Sequence, residues 1–505
     1  MKLFLILLIG LLLRVINIQA NPPALYGDEL TIALDSNSLL KIGQDQLGNY
    51  FPLTFQMGAG RPAGYVYGSI PFLAIFGPSA LGVRGLSILS GLGIILLLYY
   101  IGRKLFSDKV GLASSFIASV SPWDISLSRG GFEAHFALFL ALLGIYLFIK
   151  AKEKPASYIF SSLCFGLTLH TYPTYKVSLI LFLPLLIWYQ GIRDRKYFLI
   201  GSVLFIILGL SALSQTFLGG SEKRFSDINI FSQDKLKNSI EQKINLERNI
   251  SNLPASLAKY FHNKPVEYTK VFIENYLQNF SLDFLVLHGD RNPRHNMATM
   301  GQIYFVELIL ILLGILTLWQ KNKRLLLFLV AWLIIAPIPT ALVDLPHGLR
   351  SSFMLPPLII LSGLGLTMIL NYKNRVVLFI LGLTFTIQFT FFIQKLYFLA
   401  PKEYGNFWSY SAKTASEQAL QNKGKYKYVF LSDAIDNIEF AYPVYGRVDP
   451  SLVISQNKNH TELAGLQFKK FDNVYIGHIP DVKNFTGNLI GSYLFILENT
   501  NFERK

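Results

Sequence analysis

Apolar residues run along this chain in long blocks, not at the two-residue or 3.6-residue spacing of a soluble domain. A block of about 18 or more apolar residues can cross a bilayer as a helix. Eleven blocks meet or approach this, at about 3–20, 79–101, 110–127, 135–149, 156–172, 177–190, 197–215, 302–319, 325–343, 352–370 and 376–398. The blocks starting at 135 and 177 are short, so their helices should extend into flanking residues. Three polar stretches are too long to be turns: a loop at 21–78, a loop at 216–301 and a tail from 399. In the tail, Tyr426–Leu431, Leu452–Ser455, Asn473–Ile476 and Leu489–Leu497 read as strands. The pattern predicts an α-helical integral membrane protein with about 11 transmembrane helices over residues 1–400. A small C-terminal α/β domain is expected at 401–505, and helices in the external loops.

Charge sets the expected orientation. The short turns on one side hold 14 basic residues against three acidic ones, a net of +11 of the chain's +15. Cytoplasmic loops carry such an excess of Lys and Arg. The N-terminus is therefore expected inside the plasma (inner) membrane and the C-terminus outside. The first block, with Lys2 before it and Ala20 near its end, also resembles a signal peptide. It is read as a retained anchor, because the apolar run continues past Arg14 with no clear small-x-small site.

Composition narrows the chemistry. Hydrophobic residues make up 52% and charged ones 15%, against about 25% charged in a soluble domain. One cysteine, Cys164, excludes internal disulfides and Cys-based metal clusters. The eight histidines are scattered with no pair at i, i+4, so no metal site is expected from spacing, and no phosphate-loop or hydrolase motif occurs. The basic charge is divided among turns, which argues against nucleic acid as a partner.

Polar residues beside membrane spans are costly and are functional candidates by default. Asp28 and Glu29 stand about ten residues after the first block. They read either as a helix start or as a general base near the bilayer. Asp45 and Arg61 share the same loop, where Arg61 suits an anionic head group or a snorkelling position. Asp124, Arg129 and Glu133 crowd the far end of the third and fourth blocks, as a structural ion-pair network or as catalytic groups. Tyr172 fits an interfacial aromatic, Arg294 and His295 precede the eighth block, and His347 and Arg350 enter the tenth.

Taken in order, these segments resemble the GT-C fold glycosyltransferases that use polyprenyl-phosphate sugars, among them protein O-mannosyltransferases, the lipid A aminoarabinose transferase and the bacterial "family 39-like" enzymes. The matching residues are Asp28-Glu29, Ser38 to Asp45, Arg61 to Tyr67, Val83-Arg84-Gly85-Leu86-Ser87, Ser121-Pro122-Trp123 with Arg129 to Glu133, Thr171-Tyr172, Pro293-Arg294-His295 with Met300-Gly301-Gln302, and Arg350 with Leu355-Pro356. The chain departs from the family in Arg61-Pro62-Ala63, where Lys-Pro-Pro is usual, and in Asp124, where histidine is frequent.

The resemblance implies an inverting sugar transfer to an acceptor hydroxyl on the extracytoplasmic side. Asp28 would be the base, and Glu29 would support it or orient the acceptor. Arg61, Arg350, Arg294 and His295 would hold the donor phosphate. Asp45, Asp124, Arg129, Glu133, Tyr172 and His347 would shape the acceptor side. The implied partners are a polyprenyl-phosphate-linked sugar, a lipid, glycan or protein acceptor, and the membrane. No cofactor is expected, although some relatives need a divalent cation. A lipid or glycan transporter and a non-catalytic glycolipid-binding protein are the rival readings, and the absence of an internal repeat weighs against the first.

Overall fold

Inside a bilayer every peptide group must be satisfied within the segment, so apolar blocks fold as helices. The computed structural model describes residues 1–57, 60–218, 229–479, 482, 485, 491–498 and 501–504. Part of the loop expected at 216–301, residues 219–228, lies outside the described residues. Ten helices lead up to that stretch: α1 (Lys2–Val15), α2 (Gly27–Ile42), α3 (Gly64–Phe76), α4 (Ala80–Leu105), α5 (Asp108–Val120), α6 (Pro122–Ser128), α7 (Glu133–Lys150), α8 (Ser157–Leu169), α9 (Thr174–Gln190) and α10 (Arg195–Leu218). Beyond it come α11 (Asp234–Ile250), α12 (Ala255–Phe261), α13 (Lys264–Gln278), α14 (Phe305–Lys321), α15 (Lys323–Ile335), α16 (Ile338–Ala341), α17 (Leu355–Tyr372) and α18 (Arg375–Gln394).

The chain is a multi-pass membrane protein. Each of the eleven apolar blocks contains a helix, but among the described residues six helical segments are long and apolar enough to cross: Ala80–Leu105, Glu133–Lys150, Arg195–Gln215, Lys323–Ala341, Ser352–Tyr372 and Arg375–Glu403. Proline explains one shortened block. The block at 110–127 breaks at Ser121, whose extended backbone (ψ 125°) precedes Pro122. A residue before proline is disfavoured in the helical region. The Ser121 hydroxyl then caps α6.

The 21–78 loop, where helices were expected, holds α2 and α3. Most of α2 is buried, and α3 is a further apolar helix that the pattern had left inside a loop. Leu30, Ile32, Val66 and Leu86 share one apolar cluster with Ala441, Tyr442 and Val453 of the tail, so the tail packs onto this loop.

The first loop holds a strand pair, β1 (Thr54–Phe55) and β2 (Arg61–Pro62), and the tail carries a six-stranded sheet in the order β4-β5-β6-β3-β7-β8, where β3 is Tyr428–Ser432, β4 Thr461–Leu463, β5 Leu466–Phe471, β6 Val474–Gly477, β7 Tyr493–Ile496 and β8 Asn501–Arg504. The central strand β3 is parallel to β6 and β7, and the outer pairs are antiparallel. The strand expected at Leu452–Ser455 is instead part of the helix Pro450–Lys458. Asp449 caps it by accepting the Ser451 N–H at 2.8 Å, and Pro450 opens it. This Asp-Pro start outweighs the β-branched residues that suggested a strand. The last expected strand is shorter, and its first residues, 489 and 490, lie outside the described ones.

Candidate functional site

Asp28 and Glu29 occupy the first turn of α2, where acids complement the helix N-terminus. Neighbours on a helix diverge by about 100°, and these two side chains meet different surroundings.

Glu29 is fully buried and forms a forked pair with Arg84, with Nε to Oε1 at 2.7 Å and Nη2 to Oε2 at 2.8 Å. Arg84 also donates to the carbonyls of Ile18, Pro22 and Ala24 at 3.1, 3.2 and 2.6 Å. The Trp408 ring lies 5.2 Å from its guanidinium. The Gly131 N–H donates to Glu29 at 2.8 Å. A Cβ at Gly131 would come within 2.9 Å of Val83 and 3.1 Å of Glu29, so the approach needs glycine. Glu29, expected to support catalysis beside Asp28, is thus a buried joint between α2, α4, the α6–α7 turn and the segment after α1.

Asp28 keeps 38% of its side chain exposed. Its Oδ1 accepts Nη2 of Arg61 at 2.8 Å. Arg61 also pairs through Nε with Glu133 at 2.8 Å and donates from Nη1 to Thr31 at 2.8 Å. A two-residue strand pair, Thr54–Phe55 with Arg61–Pro62, holds its backbone. Burial alone would lower the Arg61 pKa, but Glu133, Asp28 and Asp35 raise it, so it stays charged. Arg61 was expected to hold the donor phosphate, yet its side chain is 2% exposed and its charge is committed to two carboxylates. It positions Asp28.

Tyr26, just before α2, is pushed well above its ordinary pKa by burial and then by Asp28 and Glu133, so its hydroxyl stays protonated. The Arg294 guanidinium stacks 5.2 Å from this ring, and its Nε is buried with no hydrogen-bond partner among the described residues. Phe132 lies 6.0 Å from the Tyr26 ring and 5.6 Å, edge to face, from the His295 ring. The 290–295 loop therefore packs against the Asp28 wall.

In that loop, His295 Nδ1 lies 3.0 Å from Asp290 Oδ2, and His347 Nδ1 lies 3.8 Å from the same oxygen. The two imidazoles are 4.4 Å apart. Burial would raise the Asp290 pKa, but His295 and His347 outweigh it and hold the carboxyl down at about 2. Burial, then His295, pushes His347 well below its ordinary value, and Arg350 adds to this. Arg350 is half-buried, with no carboxylate within ion-pair distance among the described residues. Asp290 opens the polar segment before the eighth block that also carries Arg294 and His295. The scattered histidines gave no metal spacing, but two loops bring His295, His347 and Asp290 within 4.8 Å of one another.

The other expected site residues have structural partners. Asp45 accepts the N–H groups of Leu47 and Asn49 at 2.9 and 2.8 Å, closing its own turn. Asp124, fully buried, pairs with Arg14 and with His135 Nε2 at 2.9 Å. Arg129 donates to the carbonyls of Leu13, Arg14, Ile16 and Asn21, capping the end of α1. Asp45, Asp124 and Arg129, expected to shape the acceptor side, are thus held in buried networks. Tyr172 packs its ring on Tyr175 at 6.4 Å. The sequence places Arg14 inside the first apolar block without assigning it a role, although an arginine there is itself a signal that a buried partner exists.

Asp35 lies behind this wall. Burial raises its carboxyl to about 7 from the ordinary 3.8, against the stabilising Gln46 N–H. Between these values the folded chain holds a proton that the unfolded chain releases, so stability falls as pH rises from about 4 to 7. Asp35→Asn keeps an acceptor for Gln46 and removes the titration. The drop in melting temperature between pH 5 and pH 8 is expected to shrink by the equivalent of about 1–3 kcal/mol. Thermal melts in detergent check it, and an unchanged pH slope counts against it.

The full-length structural match to ArnT from Cupriavidus metallidurans, bound to undecaprenyl phosphate, has a TM-score of 0.55 at 12% identity and covers 97% of this chain and 92% of that one. This chain has the GT-C fold. Archaeal oligosaccharyltransferase AglB from Archaeoglobus fulgidus, in complex with an inhibitory peptide and a dolichol-phosphate, matches with a TM-score of 0.50 at 12% identity. It is matched over 87% of this GT-C chain, which spans 63% of the AglB length. Residues 65–214 match the family model described as dolichyl-phosphate-mannose-protein mannosyltransferase. No curated protein matches in sequence. The matched stretch holds Arg84, Arg129 and Glu133, whereas Asp28, Arg61 and Arg350 of the GT-C chain lie outside it.

Proposed function

We propose that this protein is a membrane glycosyltransferase that moves a sugar from a polyprenyl-phosphate donor to an acceptor hydroxyl. One observation carries the reading. Asp28 is a partly exposed carboxylate fixed by buried Arg61, and Arg294, with no carboxylate partner among the described residues, packs on the adjoining Tyr26. Asp28 would take the hydroxyl proton as the acceptor oxygen bonds to C1 of the sugar. The C1–oxygen bond to phosphate breaks, its electron pair leaves with the phosphate, and the anomeric centre inverts. A phosphate departs without protonation, so one carboxylate suffices where a glycosidase needs two. Preorganised cations stabilise the charge that develops there, and Arg350 and Arg294 are suited to this.

The lipid phosphates bound by the GT-C structures support the donor class by analogy. The basic turns support a plasma-membrane protein with its N-terminus cytoplasmic and this site extracytoplasmic. The acceptor is a lipid, glycan or protein hydroxyl.

Mass spectrometry of envelope glycans and proteins, with and without the gene, tests the reading. Loss of one sugar modification is expected, and an unchanged profile opposes it. Arg350→Ala is expected to lower kcat/KM for the donor about 10–100-fold, the worth of a charge-assisted hydrogen bond. Steady-state kinetics over donor concentration checks this, and unchanged kinetics would remove Arg350 from the donor site.

A further inference from the structure

We propose that the space between α5, α14, α17 and α18 is a lipid site apart from the donor position, and that it takes one chain of a neutral lipid ending in a hydroxyl. A cavity of about 290 Å³ lies there. Phe116, Leu310, Leu366, Leu381 and Phe385 form its walls, and Glu307 is the one carboxyl among the residues that line it.

Glycines decide where the gap falls. A Cβ at Gly314 would come within 2.3 Å of the Leu361 carbonyl oxygen, and one at Gly365 within 2.0 Å of the Leu310 oxygen. Small residues thus let α14 and α17 meet backbone to backbone. A Cβ at Gly363 would meet Ser114 Oγ at 2.3 Å, which holds α17 equally close to α5. The glycine of α18, Gly382, lines the cavity and has nothing within 4 Å of its Cβ position. Only 6% of the apolar window of Arg375–Glu403 is buried. α18 therefore stands off the other three helices, with lipid on its outer side.

Glu307 gives the gap a polar end. The residue is 2% exposed. One carboxyl oxygen, Oε1, accepts the Tyr304 N–H at 3.0 Å, but Oε2 has no hydrogen-bond partner among the described residues. The Ser362 hydroxyl stands beside the carboxyl and also completes no hydrogen bond. No Lys, Arg or His lines the cavity. A buried carboxyl at membrane depth is costly without a partner. A hydroxyl can donate to the carboxylate or accept from the carboxylic acid, so it suits either protonation state. A phosphate head would set two anions together with no cation between them, so the donor phosphate proposed for Arg350 and Arg294 does not suit this cavity.

The lining also gives the occupant a direction. Tyr304 donates to the Val120 carbonyl at 2.9 Å and closes the cavity beside Glu307. Leu370 and Leu378 flank the α17–α18 turn at the other end. A head at Glu307 and Ser362 leaves its chain running along apolar walls toward that turn. The volume is near the lower bound of ligand pockets, about 300 Å³, so one chain enters and any second chain stays in the bilayer.

The test uses full-length protein in detergent and a photoreactive hexadecanol carrying a diazirine in mid-chain. Irradiation and peptide mass spectrometry are expected to place one label per chain on α17 or α18 beside the cavity. Unlabelled hexadecanol should compete, and hexadecyl phosphate should not. Glu307→Leu removes the partner of the head, and Gly382→Phe fills the space of the chain. Each is expected to cut labelling at least about tenfold. Glu307→Gln still donates and accepts, so it should retain the label. Leu383→Phe, at an exposed position of the same helix, should leave labelling unchanged. Glu307 also holds the Tyr304 backbone, so Gly382→Phe decides if Glu307→Leu fails gel filtration. The stronger competitor of farnesol and dioleoylglycerol separates an isoprenoid from a glyceride source. Labels scattered over lipid-facing residues, full labelling of Gly382→Phe, or competition by hexadecyl phosphate would overturn the site and leave a Glu307–Ser362 contact inside the bundle. No sugar donor enters the assay, so failure here is distinct from failure of the transferase reading.

Discussion

Asp28→Asn is expected to lower sugar transfer by about 10²–10⁴-fold, the usual contribution of a general base. The amide keeps the size of the side chain but cannot accept the proton. It can still offer an oxygen to Arg61, whose other partners, Glu133 and Thr31, remain. The protein should therefore fold and bind donor with near-normal affinity. The loss should fall on kcat, because an interaction made only in the transition state lowers kcat and leaves donor binding intact. Single-turnover assays beside a donor-binding measurement separate the two. Wild-type turnover in Asp28→Asn would remove this carboxylate from the chemistry. A loss of folding instead would make the Asp28–Arg61 pair structural.

Arg84→Ala is expected to cost stability on a scale that threatens folding. The change leaves the Glu29 charge buried and strips a donor from the carbonyls of Ile18, Pro22 and Ala24. Removing one partner of a buried ion pair costs about 3–5 kcal/mol, against total stabilities of about 5–15 kcal/mol. Arg84→Lys retains the charge but loses the forked geometry, so a smaller loss is expected. Replacing both Glu29 and Arg84 by methionine should recover part of the loss, since no uncompensated charge remains. Thermal melting and yield in detergent measure the series. A melting temperature for Arg84→Ala equal to wild type would contradict the buried-joint assignment.

Glu29 and Arg61 show where reading from sequence stopped. Glu29 adjoins Asp28, Arg61 lies in the same loop, and both carry a charge that the chemistry can use. Charge type and spacing do not report partners, however. Glu29 meets Arg84 from fifty-five positions away, and Arg61 meets Glu133 from seventy-two positions away. Asp124 and Arg129 had a structural alternative at the outset, and Arg14 and the end of α1 are the partners that satisfy it. Arg14 entered only as a residue inside the first apolar block, because nothing along the chain names its distant partner. The tail helix Pro450–Lys458 was legible in its Asp-Pro start but was overruled by Val453 and Ile454.

The sequence by itself determined the solvent. Blocks of apolar residues require helices in a bilayer, because no other open structure satisfies its peptide groups there. It also determined the expected orientation, since charge bias in short turns needs no tertiary information. The tertiary structure decided which ionisable groups are spent and which are free. It buries Glu29, Asp124 and Arg129 against distant partners, commits Arg61 to two carboxylates, and leaves Asp28 accessible. It gathers Asp290, His295 and His347 from two loops. The physical reason is that burying a charge is costly unless it is paired, and pairing partners are chosen by packing in space rather than by order along the chain.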